Sequence, residues 1–253
     1  MRVKEITSAD NSRFKTFLKL TKARGIRKHG LAFLSRSKQV REVLENFPNQ
    51  CAGIILFDLK ETSLGPFPEG ISIYHLSLNL FRQVDLYDTG QPILLVRVPR
   101  FTQWQDELRE KGCTLCVPFQ DPANVGAVIR SAAAFGVSGI VILKEAAHPF
   151  HPRSVRVAGS ALFRVPLFQG PSLDEFKVPD GQVVTLSPQG EDIGNYRFPE
   201  TFCMIPGLEG PGLPGNLKDA NALAIPMEPG VESINAALAT GIALYLWRDR
   251  FTD

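Results

Sequence analysis

The chain is expected to be α/β, with a mostly parallel sheet in its C-terminal part and a small α/β domain ahead of it. Three observations carry that expectation. From Cys113 onward, short apolar runs alternate with helical stretches, the pattern of parallel strands joined by crossover helices and covered on both faces. The first 100 residues hold strand-like runs and amphipathic stretches of their own. Charge divides the chain as well: residues 1–41 carry 12 Lys or Arg against 2 acidic residues, a net +10, whereas the rest carries 16 basic and 24 acidic groups, a net −8.

In the N-terminal part, the spacing of Phe14, Phe17, Leu18 and Thr21 predicts a helix over 11–22, with Asp10 or Ser8 able to cap it. Arg24 to Gly30 reads as a basic turn, LAFL as a strand, and 37–46 as a second helix. Further strands are expected at 51–57 and 92–98, and Gly65-Pro66-Phe67-Pro68-Glu69-Gly70 is an exposed turn. A hinge over 99–111 separates domains at 1–105 and 106–253. Beyond it the strands are TLCVPF, GIVIL, LFRVPLF, VVTLS, FCMIP and NALAIP. A helix at 124–135 joins the first two, and one from Glu232 to Trp247 follows the last. In open sheets of this kind ligands sit beyond the carboxyl ends of the strands.

Several classes of function find no support. No run approaches the roughly 18 apolar residues of a membrane span, and MRVKEITSADNSRFK lacks the apolar segment of a signal peptide. A cytoplasmic protein with no membrane partner is expected. Cys51, Cys113, Cys116 and Cys203 read as buried thiols. Cys113 and Cys116, three apart in a strand, face opposite sides, and no second pair completes a zinc site. No metal site is expected. His148 and His151 read as loop histidines. The chain has no GxGxxG, GxxxxGK[ST] or HExxH. The basic end on an acidic body implies a directed electrostatic face, suited to nucleic acid ahead of a merely solvated basic helix and, last, of anionic lipid.

Three polar segments stand out against apolar surroundings, and each follows a strand. In the first, Asn124 and Arg130 lie on a helix otherwise built of small apolar residues, where a lone guanidinium binds an anion or serves a reaction. The second is the loop Pro206-Gly207-Leu208-Glu209-Gly210-Pro211-Gly212. Its glycines admit a ligand close to the backbone, its prolines restrict its shape, and Glu209 stands ready to orient an amine, a hydroxyl or Arg130. The third opens with Ile225-Pro226-Met227 and leads through Ser233 and Asn235 into an apolar helix. Both polar residues are expected in its first turn, where free amides and the helix dipole favour polar ligands.

These segments resemble the motifs of the TrmH/SpoU branch of the SPOUT methyltransferases, which methylate RNA ribose 2′-hydroxyls. Asn-x-Gly-x-x-x-Arg matches Asn124-Val-Gly126-Ala-Val-Ile-Arg130. Gly-x-Glu-Gly-x-Gly-Leu matches Gly207-Leu-Glu209-Gly210-Pro-Gly212-Leu213. Ile-Pro-Met and the later Glu-Ser-Leu-Asn match Ile225-Pro226-Met227 and Glu232-Ser233-Ile234-Asn235. Arg153 to Pro166 is similar to the family stretch ahead of the middle strand. The resemblance is strong over residues 113–247. The N-terminal part resembles the ribosomal-protein-like domain that precedes many rRNA ribose methylases, through ITSADNSRFKTFLKL and His29-Gly30-Leu-Ala-Phe-Leu. Ser35-Arg36-Ser37 stands where the family often has Val-Glu-Gly, and Leu208 where it has Asn or Ser.

The resemblance implies a C-terminal domain tied in a deep trefoil knot, against the usual unknotted rule, with S-adenosylmethionine as cofactor. It implies cofactor contacts at Leu186, Ser187, Gly207, Leu208, Glu209, Gly210, Ile225, Met227, Ser233, Ile234, Asn235 and Leu238. By the same resemblance, Arg130 would face the acceptor hydroxyl. Since an ordinary arginine is protonated near neutrality, it is expected to orient that hydroxyl and stabilise the developing alkoxide rather than act as base. Asn124 would hold Arg130 or the ribose, Glu209 the neighbouring network, and Ser233 with Asn235 would complete the site. The resemblance further implies a two-fold homodimer and a structured RNA substrate, 23S rRNA ahead of tRNA. A non-catalytic RNA-binding or ribosome-assembly protein, or a base methylase, is the rival reading.

Overall fold

The computed structural model describes residues 2–58, 67–68, 70–177, 182–207, 215–217 and 220–251. They form two compact units: unit 1 from the first 100 residues together with Phe150–Ser160, and unit 2 from Phe101–Pro149 and Ala161 onward. The sequence had grouped Phe150–Ser160 with the second domain.

Unit 1 opens with β1 (Arg2–Ile6), then α1 (Ser12–Lys19) and α2 (Ala23–His29). The cap of α1 is Asn11, not Asp10 or Ser8: its side chain accepts from the amides of Arg13 at 2.9 Å and Phe14 at 3.4 Å. Phe14, Phe17 and Leu20 are buried, whereas Leu18 is exposed. The expected basic turn is instead the helix α2. Ile26 anchors it in the core, and Gly25 lets it touch α1 backbone to backbone. A Cβ at Gly25 would lie 1.9 Å from the Lys19 carbonyl oxygen. The cations of Arg13, Lys15, Lys19, Lys22, Arg24, Arg27 and Lys28 are all left at the surface.

The chain continues through β2 (Leu31–Leu34), α3 (Ser37–Asn46), β3 (Cys51–Leu56), β4 (Ser72–Leu76), α4 (Leu78–Val84) and β5 (Ile93–Arg97). The sheet runs β1-β4-β3-β5-β2, parallel across the first three strands and antiparallel across the rest. Its core gathers Phe14, Phe17, Ile55, Tyr74, Phe81 and Leu95, with Phe17 edge-on to Tyr74 at 5.1 Å. Neither β1 nor β4 stood out in the sequence, because polar residues interrupt both. Gly65, Pro66 and Glu69, half of the expected turn at 65–70, lie outside the described residues.

Unit 2 begins with β6 (Thr102–Gln103), β7 (Gly112–Val117), α5 (Pro122–Phe135) and β8 (Gly139–Ile142). The crossover that follows carries α6 (Pro152–Ala158), whose cap is His151: Nδ1 accepts from the Arg153 amide at 3.2 Å. Next come β9 (Leu167–Gln169), β10 (Val183–Asp192), β11 (Thr201–Ile205), β12 (Asn221–Ala224) and α7 (Ala236–Phe251). The expected strand LFRVPLF is shorter than the run. Pro166 has no amide to donate, and the strand starts only after it. The sheet order is β12-β10-β11-β7-β8-β9-β6, and its six strand pairings are all parallel. Chain order therefore runs outward in one direction from β7 to β9 and resumes on the other side of β7. That reversal is where open α/β sheets leave a crevice at the carboxyl ends of the strands.

Candidate active site

Asp121 caps α5, its carboxylate accepting from the Ala123 amide at 3.1 Å, and Pro122 presets the first turn. This sets Asn124 in the first turn of α5, at the carboxyl end of β7. Asn235 is placed by a matching device. Its Oδ1 accepts from the amides of Ala237 at 3.0 Å and Leu238 at 3.1 Å, so it caps α7. With its cap satisfied, its Nδ2 donates to Oδ1 of Asn124 at 3.1 Å, linking residues 111 apart in sequence. The two helix starts are thereby tied together. Farther along, Gly241 lets the helices stay close, since a Cβ there would already meet Ser131 Oγ at 3.5 Å.

Arg130 is exposed on α5, six positions beyond Asn124. That is about 9 Å along the helix and roughly 120° around it. Among the described residues no hydrogen bond or ion pair engages its guanidinium. Of the two roles expected of Asn124, holding Arg130 is not the one this geometry makes, because its carbonyl is turned to Asn235. Ser233 also departs from expectation. It is exposed in the stretch ahead of Asn235, and α7 starts only at Ala236, so Ser233 lies outside the first turn.

The ends of β10 and β11 form a tight cradle. A Cβ on Gly207 would stand 2.6 Å from the Leu186 carbonyl oxygen, so only glycine fits there. Just beyond, Leu186 and Glu191 both pair with Leu223, so residues 187–190 bulge out of the ladder. Ser187 Oγ donates within that bulge to Gln189 Oε1 at 2.9 Å and accepts from the Gln189 amide at 3.3 Å. Gly190 seats the bulge on β12, a Cβ there being 2.4 Å from the Ala222 oxygen. Gly190 is not among the site residues the motifs single out, although Pro188-Gln189-Gly190 carries the composition of a turn. Ile225, Met227 and Ile234 are half-buried, and Leu238 faces solvent on α7. Leu208, Glu209 and Gly210 lie outside the described residues.

Other candidates serve structure. Cys51, Cys113, Cys116 and Cys203 are buried free thiols, and burial pushes the Cys113 and Cys116 thiols well up. No group of three His, Cys, Asp or Glu among the described residues could hold a metal ion. No helix among them is long and apolar enough to cross a membrane.

Known proteins resemble the chain in sequence and in fold. Residues 111–245 match the model of the SpoU rRNA Methylase family. The chain is 43% identical over 246 residues to the ribosomal RNA small subunit methyltransferase G 2 of Syntrophobacter fumaroxidans, covering 96% of this chain and 49% of that protein. It thus spans about half the length of that relative. It is 29% identical over 252 residues to the 23S rRNA (guanosine(2553)-2′-O)-methyltransferase RlmP of Bacillus subtilis, covering 96% of this chain and 98% of that one. The crystal structure of an AdoMet-bound rRNA methyltransferase from Sinorhizobium meliloti superposes with a TM-score of 0.80 at 25% identity, covering 98% of both chains. On the family match, which takes in more than half of its residues, the chain belongs to the SpoU rRNA Methylase family.

Proposed function

We propose that this chain transfers a methyl group from S-adenosylmethionine to a ribose 2′-hydroxyl of structured RNA, ribosomal RNA ahead of transfer RNA. The observation that carries the reading is the Asn124–Asn235 bridge. It fastens the start of the helix bearing Arg130 to the start of α7, which packs along it. The full-length similarity to a ribosomal RNA 2′-O-methyltransferase supports the same reaction.

The residues fit the cofactor. Gly207 brings the backbone beyond β11 against the Leu186 carbonyl, so that both main chains border the site, and half-buried Ile225, Met227 and Ile234 supply apolar surface next to exposed polar Asn235. Leu186, Ser187, Gly207, Ile225, Met227, Ile234 and Asn235 would hold it, together with Leu208, Glu209 and Gly210. Bound there, it supplies an electrophilic methyl on a sulfonium. The protein's task is to align the acceptor oxygen and stabilise the charge it develops. Arg130 does this as a donor, since a guanidinium offers fixed N–H groups and no acceptor. Asn124 and Asn235 fix the two helices against each other and leave the acceptor ribose a polar edge.

The active form is a homodimer in this reading. Val231, Leu238 and Tyr245 are 50%, 56% and 53% exposed, and Leu238 and Tyr245 lie seven apart, hence on one face of α7. Large apolar side chains so placed call for a cover, and a second copy presenting the same helix supplies one. A trefoil knot through the strands after β10 and α7, the family arrangement, belongs to the same proposal. Buried free thiols suit a reducing cytoplasm, and the basic helices of unit 1 suit a ribosomal-protein-like RNA-binding role.

The test is transfer of radiolabelled methyl from S-adenosylmethionine to total RNA. Labelling is expected on RNA but not where the target 2′-hydroxyl is replaced by hydrogen; label on the 2′-deoxy substrate would assign the enzyme to bases. Arg130→Ala is expected to abolish transfer while calorimetry still detects cofactor binding. A wild-type protein that binds no S-adenosylmethionine would point to a non-catalytic RNA-binding role.

A further inference from the structure

The strand β10 lies between β11 and β12, and its pairing with β12 is interrupted. Leu186 and Glu191 both face Leu223, so Ser187, Pro188, Gln189 and Gly190 stand out of the ladder at the carboxyl edge of the sheet. Bulges re-aim side chains and gather beside active sites. Both ends of this one are fixed. Gly190 lies so close to β12 that a Cβ there would be 2.4 Å from the Ala222 oxygen, and beyond it Asp192 pairs with Ala224. At the other end the main chain at Gly207 abuts the Leu186 carbonyl. Pro188 holds its own φ at about −65°. The bulge is thus a shaped projection, with Gly207 on the β11 side and Ile225, the residue after β12, on the other.

Gln189 is exposed on this projection, and its amide is oriented from within it. The Ser187 hydroxyl accepts from the Gln189 main-chain amide at 3.3 Å and donates to Oε1 at 2.9 Å. That exchange uses the hydroxyl once in each sense, so it fixes which end of the side-chain amide is the carbonyl. Nε2 keeps both N–H groups without a partner among the described residues, and Oε1 keeps its second lone pair. A donor beside an acceptor in one plane matches an edge of adenine, where the 6-amino group donates and the adjoining N1 or N7 accepts. The anionic end of the cofactor does not suit this place. Gln189 carries no charge to hold a carboxylate, and exposed Glu191 and Asp192 follow within three residues. Half-buried Ile225 instead offers apolar surface to a flat ring.

We infer that Gln189 is a specificity residue that reads the adenine ring of S-adenosylmethionine, Nε2 donating to N1 or N7 and Oε1 accepting from the 6-amino group. This rests on the reading that the chain uses that cofactor. The whole chain is titrated by calorimetry with S-adenosylmethionine and with its 1-deaza, 3-deaza and 7-deaza analogues, each of which replaces one ring nitrogen by C–H. Wild type is expected to bind the 1-deaza or the 7-deaza analogue about three- to tenfold more weakly than the parent, and the 3-deaza analogue as well as the parent. Gln189→Ala should bind S-adenosylmethionine about tenfold more weakly and should no longer distinguish it from the analogue that wild type disfavours. Gln189→Glu, which sets an acceptor where the donor stood, should lose at least as much while its Tm stays near wild type, the residue being exposed. Undiminished affinity in Gln189→Ala would overturn the assignment. So would a 1-deaza or 7-deaza penalty as large in that variant as in wild type, the pattern of a bulge that only shapes the pocket, or a penalty confined to the 3-deaza analogue. Either of these patterns in a protein that binds S-adenosylmethionine removes the role of Gln189 alone, whereas wild type that binds none removes the cofactor reading beneath it.

Discussion

Two residues of the site separate binding from alignment. Gly207 cannot carry a side chain, because the Leu186 oxygen occupies the place of its Cβ. Gly207→Ala should lower the thermal transition, since the atom in the way is backbone. Affinity for S-adenosylmethionine should fall at least about tenfold, or ~1.4 kcal/mol, by calorimetry; undiminished affinity would show that the cradle is not used. Asn235 does two jobs, capping α7 and donating to Asn124. Asn235→Ala should cost about 1 kcal/mol of stability through the lost cap. Asn235→Ser keeps a capping oxygen but not the reach to Asn124, so its Tm should stay near wild type while turnover drops about 10- to 100-fold. Equal turnover in the serine variant and wild type would reduce the bridge to packing. Asn124, Arg130 and Asn235 were legible as polar residues set on apolar helices. Their bond was not, because nothing local marks two amides 111 positions apart as partners.

At the scale of elements, periodicity placed β2, α3, β3, β5 and α5 closely and misread the stretch at Ala23–His29. Its seven residues are too polar for a helical pattern to show, and they hold helical form because Gly25 and Ile26 seat them on α1 and the core. The strand β3 carries a pH signature. Burial, partly opposed by the Arg97 guanidinium, raises the Cys51 thiol from 9.0 to about 11. The native state then keeps a proton that the unfolded chain releases. The stabilisation is complete below pH 9 and is lost as pH rises through about 11. The Tm should accordingly decline over that interval, and Cys51→Ala should flatten the decline. A wild-type profile no steeper than that of the alanine variant would exclude Cys51 as its source.

For the whole molecule, the decisive question is what covers α7. Glutamate at both Leu238 and Tyr245 should yield a folded monomer by light scattering, with transfer activity lost, because a buried pair of carboxylates opposes the two-fold contact. A variant that remains dimeric would move the interface elsewhere. Charge acts at the same scale. With 12 basic groups in residues 1–41, RNA affinity should fall steeply between low and physiological salt. A flat salt response would leave the basic helices without the partner their composition implies.

By itself the sequence determined the α/β class, the basic end, the buried thiols and the identity of the polar residues at the strand ends. Those properties depend on periods of two and 3.6 residues and on composition, which are local. Only the tertiary structure decided that β7 lies beside β11, that Leu186 meets Gly207, and that a helix from the middle of the second unit's sequence belongs to the first. Parallel pairing joins strands through long crossovers, so the partner of each strand end is set by packing across the sheet and not by anything adjacent in the chain.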